Sequence, residues 1–191
     1  MATEHDSVDL VSADVTLGFA RAVLFAALLA VGAWIAIPIS AVPGTLQTFV
    51  VFLVGLYLGP YWGTASVVLY LAVGAVGAPV FAEFSAGFGV LLGPHGGFLW
   101  TFPVAAFLIG AAVHRGGDLR NPADASLPVL VGSLLAATAV VYAAGFGWYA
   151  WSTGTPLGRA FALVAAPLLP GDLLKVAAAV AVVRTGAVDP T

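Results

Sequence analysis

Six long apolar runs with almost no charge inside them constrain this chain more than any other feature. They cover roughly 17–37, 45–59, 61–77, 97–113, 128–150 and a last run that ends at Val183. A helix needs about 20 predominantly apolar residues to cross the hydrocarbon core of a bilayer, so 191 residues hold six crossings with short connections. An aqueous fold is excluded because 8% of the residues are charged, against about 25% in a soluble domain. Six Lys/Arg and nine Asp/Glu cannot clothe a globule of this size. The expectation is an all-α integral membrane protein, multi-pass in the cell membrane, with six transmembrane helices in a compact bundle. It forms a single membrane domain over 1–191: an acidic cytoplasmic tail over 1–16 and the six-helix bundle over 17–184.

Turn chemistry and charge set the topology. Gly59, Pro60, Tyr61 and Trp62 form a tight hairpin between the second and third runs, with aromatics at interface depth. Arg21, Arg115, Arg120 and Arg184 fall on one side if both termini are cytoplasmic, and only Arg159 lies outside. The loops 38–44, 78–96 and 151–169 then face outward. Segment 78–96 is too glycine-rich and aperiodic to span, and reads as a long ordered loop with Gly96 and Gly97 opening the next helix. The acidic residues ahead of the first run, Glu4, Asp6, Asp9 and Asp14, are not those of a secretory signal peptide. Pro167 and Pro170 interrupt the final stretch, giving a short outer helix over 156–166 and a last helix opened by Pro170. Proline-broken apolar segments point to a substrate site, because loose backbone at membrane depth is tolerated only where it lines a cavity.

Asp172 and Lys175 are the oppositely charged pair inside an apolar run. Each costs a few kcal/mol to place in a membrane helix. Spaced i,i+3 they share a face, and together they offer an anionic acceptor for two N–H groups beside a cationic donor for a carbonyl. That is the complement of a cyclic urea or amide; the competing reading is an ion pair that locks the last helix in the bundle. Loop residues Phe81, Phe88 and His95 either wrap an apolar body or merely cover the bundle, and Glu83 reads as a solvated loop acid. Thr45 is placed to cap the second helix, while Gln47 and Tyr70 could face a polar site or serve as cap and core residues. Ala22, Ala26 and Ala30 make a smooth stripe that suits either a docking partner or packing within the chain.

Several functions are excluded. The chain has no GxxxxGK[ST] loop to bind ATP. It has no cysteine, and His5, His95 and His114 form no paired metal site, so no metal and no cofactor are expected. No histidine lies within a span to serve a serine nucleophile. A net charge of −3 excludes nucleic acid as a partner. What remains is a membrane protein that binds a small molecule and does not break bonds.

Four strings carry a resemblance: Val42-Pro43-Gly44-Thr45-Leu46-Gln47, then Gly74-Ala75-Val76-Gly77-Ala78-Pro79-Val80-Phe81-Ala82, Gly93-Pro94-His95-Gly96-Gly97-Phe98-Leu99 and Pro170-Gly171-Asp172-Leu173-Leu174-Lys175. Together, and in this order, they resemble the BioY family, the biotin-specific substrate-binding subunits of energy-coupling-factor transporters, over about residues 20–185. The resemblance implies capture of biotin from outside, and docking on a transmembrane coupling subunit that carries two cytoplasmic ABC-type ATPases. It places Asp172 and Lys175 on the ureido ring and Ala22, Ala26 and Ala30 on the docking surface; the binding mode expected from this is the bicyclic ring and chain of biotin against Phe81, Phe88, Phe98 and Trp100. The chain departs from the family pattern in having Glu83-Phe84 where Gly-Gly is common, and His95 and Phe98 where GlyProThrGlyGlyTyr is common. Residues 96–113 also carry no cation for the biotin carboxylate, which leaves His95, Arg159 or the Gly96 and Gly97 amides for that role. The alternatives are an energy-coupling-factor subunit for another vitamin and a facilitator acting alone.

Overall fold

A computed structural model describes residues 12–116 and 118–191. Helix α1 (Ala13–Trp34) leads through a two-strand ladder, β1 (Ala36–Ile37) and β2 (Gly44–Thr45), to α2 (Gln47–Ala75). A 3-10 turn over Ala82–Phe84 and the short α3 (Phe88–Leu92) precede α4 (Gly96–His114) and α5 (Leu127–Thr153). Next, α6 (Leu157–Ala160) widens into a π turn over Phe161–Ala165, and α7 (Leu169–Arg184) closes the chain. Among the described residues four helices are long and apolar enough to cross a membrane, and the pair around Pro167, bent by 53°, counts as a fifth.

Local chemistry explains the boundaries. Ser12 accepts the Val15 N–H at 3.4 Å and Asp14 sits in the first turn, so α1 starts at Ala13, ahead of the apolar run. The tail expected over 1–16 is therefore helical from Ala13, and its first eleven residues lie outside the described ones. Within α2, Gly59 adopts φ 71°, which favours glycine, and Pro60 follows it. A Cβ placed on Gly63 would lie 3.2 Å from the Val54 carbonyl oxygen. Residues nine apart meet in this way only if the helix folds back, so α2 is a hairpin of two arms, as the Gly-Pro signal requires.

The arms of α2 pack on α1 and α4, and α4 packs on α5, around fully buried Leu29, Phe52, Leu56, Ile109 and Leu134. The outer side of α1 exposes Phe19 and Leu24, as a lipid-facing surface does. Ala22, Ala26 and Ala30 lie on the inner side and are buried; Ser66 donates to the Ala22 carbonyl at 2.7 Å across this contact. The alanine stripe is thus used inside the chain and presents no docking face, because small side chains let α1 approach the returning arm of α2 closely.

Hydrogen bonds gather the arginines at one end. Arg21 donates to the Pro190 carbonyl at 2.8 Å, and Arg184 donates to the Ala123 and Ala125 carbonyls at 2.9 and 3.0 Å. The Arg120 N–H donates to His114, which in turn reaches Leu56 near the α2 turn. At the other end three tryptophans hold segment 78–96: Trp34 donates to Pro79, Trp100 to Leu91 and Trp148 to Gly93, all at 2.9–3.0 Å. The Ala41 N–H reaches the Leu163 carbonyl at 3.4 Å, which brings the first loop and the π turn to the same end.

Candidate functional site

At the tryptophan-clasped end a cavity of about 410 Å³ opens between the 35–48 segment, the 81–95 loop and the facing turns of α4, α5 and α7. That volume is in the range of small-molecule sites. Its walls are largely apolar, with Phe81, Phe98 and Phe102 among them. Two of these rings depend on missing side chains opposite: a Cβ on Gly74 would strike Phe81, and one on Gly145 would strike Phe98. Phe98 in turn meets Tyr142 edge-on at 6.2 Å.

The floor is a closed polar network. Lys175 lies 2.5 Å from Asp172 Oδ1, and also donates to the Thr45 carbonyl at 2.6 Å and to Thr48 Oγ1 at 3.2 Å. The Thr48 hydroxyl in turn donates to Asp172 Oδ1 at 3.2 Å, and Tyr142 donates to Oδ2 at 2.6 Å. Asp172 is 5% exposed, and the Lys175 side chain 17%. An ammonium has three donors and all three are used, so the buried charges are matched before any ligand enters. The reason is positional: Asp172 is in the first turn of α7, where free N–H groups and the positive end of the dipole favour a carboxylate.

Beside the floor, Gln47 donates to Tyr70 Oη at 2.8 Å, and Tyr70 donates to the Val80 carbonyl at 3.1 Å. Thr45, in β2, accepts the Gln47 N–H at 3.2 Å, but the N-cap position of α2 is Leu46, so Thr45 stands one residue ahead of the cap it was expected to fill. At the rim His95 Nε2 meets the Ala41 carbonyl at 3.2 Å and joins the two loops.

Of the residues expected in the site, Gln47, Phe81, His95, Phe98, Asp172 and Lys175 line the cavity. The others do not. Tyr70 is buried behind Gln47 and supports it. Phe88 and Trp100 are 53% and 43% exposed, because Val90 and Phe98 face the cavity and a helix turns about 200° in two residues. Gly97 packs on α5: a Cβ there would strike Trp148 and the Ala144 carbonyl. Arg159 is exposed and off the wall, with its buried neighbour Ala160 facing inward instead. Tyr142 and Thr48 belong to the site although neither stood out in the sequence, since each is one hydroxyl among apolar neighbours. Glu83 also lines the wall, as an exposed residue at the rim.

The chain is similar to known proteins in both sequence and fold. The BioY family profile matches residues 4–188. The chain is 42% identical over 157 residues to a probable biotin transporter BioY of Pyrococcus horikoshii, covering 82% of this chain and 88% of that one. It is 38% identical over 172 residues to the biotin transporter BioY of Rhodobacter capsulatus, covering 85% and 88%. Its fold matches the crystal structure of the S-component for biotin from an ECF-type ABC transporter with a TM-score of 0.78 at 25% identity, over 92% of this chain and 93% of that one. Profile, relatives and fold converge on one assignment: this chain belongs to the BioY family.

Proposed function

We propose that the chain captures biotin outside the cell membrane as the substrate-specific subunit of an energy-coupling-factor transporter. It is a binding protein and not an enzyme; the energy comes from a transmembrane coupling subunit and two ABC ATPases that bind to it. The observation that carries this reading is the matched Asp172–Lys175–Thr48–Tyr142 network at the floor of an apolar cavity. A urea exchanges like for like there: its carbonyl accepts from Lys175, and its N–H groups donate to Asp172 and to the acceptor that Lys175 releases. An apolar ligand without a urea leaves charges unmatched in a dry site.

The topology follows from the two ends. Counting the arms of α2 separately and the bent α6–α7 pair once gives six crossings, with both termini on the arginine side. Cytoplasmic ends carry the excess of Arg and Lys, so the cavity opens outward and segments 38–44 and 78–96 lie over it.

Equilibrium binding of labelled biotin to the detergent-purified chain tests the reading. Unlabelled biotin displaces the label, and a hundredfold excess of riboflavin or thiamine does not. Displacement by either of those, or no binding by a folded chain, contradicts it.

A further inference from the structure

We propose that Glu83 biases this cavity toward biotin whose tail carboxyl is masked as an amide or ester, or ends in a cation, over the free acid. The inference rests on the biotin reading above and concerns the end of the ligand that the Asp172–Lys175 pair does not touch.

Charge around the cavity is lopsided. Among the described residues of its wall the charged side chains are Asp172, Lys175 and Glu83. Asp172 and Lys175 cancel each other at 2.5 Å. Glu83 makes no hydrogen bond or ion pair among the described residues, so its charge is left over. Burial orders the two ends: Asp172 is at the floor, whereas Glu83 is exposed at the rim. A ligand with its urea at the floor therefore extends its tail toward the rim, where Glu83 stands.

The rim holds this acid in place. Glu83 and Phe84 both adopt left-handed backbone, with φ of 57° and 58°, a conformation non-glycine residues avoid. The strain persists because Phe84 stacks on Trp34 at 5.2 Å, Trp34 is tied to Pro79, and the Phe81 N–H closes the turn on the Ser85 carbonyl at 3.1 Å.

The rim thus offers an anion. An ammonium complements it, an uncharged amide or ester is indifferent to it, and a carboxylate is repelled by it.

The test is competition binding in nanodiscs at low salt, with labelled biotin displaced by biotin, by its primary amide and by its monoamide to a short diamine, which ends in an ammonium. Wild type, Glu83→Gln and Glu83→Lys are compared. The wild type is expected to bind both amides at least as tightly as the acid. Glu83→Gln should tighten the acid by about threefold, the scale of an exposed charge pair, with the primary amide unchanged, and Glu83→Lys should go further. The primary amide reads the floor, so it also reports whether a variant is folded. Raising salt on the wild type, which needs no variant, should tighten the acid relative to the diamine amide. A tenfold preference of the wild type for the acid, or an acid-to-amide ratio that is the same in all three proteins and at all salts, overturns the inference while biotin binding stands. Failure of a folded wild type to bind any of the three ligands overturns the biotin reading itself.

Discussion

The two ends of the bundle each bury a polar side chain, and they do so differently. At the arginine end His114 is 1% exposed; Nε2 donates to the Leu56 carbonyl at 3.0 Å and Nδ1 accepts the Arg120 N–H at 3.0 Å. Both ring nitrogens are matched by main-chain groups, and His114 lines no cavity described here. At the tryptophan end Asp172 and Lys175 are matched as completely, but by each other, by Thr48, Tyr142 and the Thr45 carbonyl, all on the wall of a void. Burial of a polar group therefore does not mark function. What marks it is partners that a ligand can take over.

That contrast can be broken by substitution. The largest effect is expected for Asp172→Ala, which leaves Lys175 buried without its counter-charge at a cost of about 3–5 kcal/mol. Its melting point in detergent should fall steeply and biotin binding should vanish. His114→Phe leaves the Leu56 carbonyl and the Arg120 N–H unmatched, for about 1–3 kcal/mol of stability. Calorimetry on the fraction that remains folded should give wild-type biotin affinity, and a large loss of affinity there would erase the distinction between the ends. Tyr142→Phe removes one hydrogen bond to a charged oxygen, and biotin affinity should drop about tenfold while the fold is kept. The smallest effect sharpens the role of the loop clasp: Trp148→Phe deletes the bond to Gly93, worth about 1 kcal/mol, and stopped-flow release of biotin should be about fivefold faster.

Much of this was legible in the sequence, for reasons that can be named. Long uncharged runs leave a chain no choice but helices across a membrane, and Gly59-Pro60 announces a turn whatever surrounds it. Asp172 and Lys175 are legible because charge in an apolar run is costly, so its presence is informative. Tyr142 and Thr48 are not, since a single hydroxyl in a helix is compatible with either face, and only the packing of α5 and α2 against α7 brings them to the carboxylate. For the same reason Phe88 and Trp100 were expected in the cavity and lie outside it: aromatic residues in a loop or at a helix start carry no mark of direction. The alanine stripe of α1 was ambiguous between an outer and an inner face, and burial decided for the inner one. Glu83 read as a solvated acid and is indeed exposed, but a left-handed turn sets it on the cavity rim.

The most direct test separates the ligand role of the floor from its structural role. The double variant Asp172→Asn with Lys175→Met removes both charges at once, so neither is left buried without a partner, and its stability should stay near that of the wild type. Equilibrium biotin binding to this folded double variant should be lost, with affinity weaker by at least a hundredfold. Binding within a few-fold of wild type would contradict the account, and would make the pair a lock on α7 that the ligand never touches.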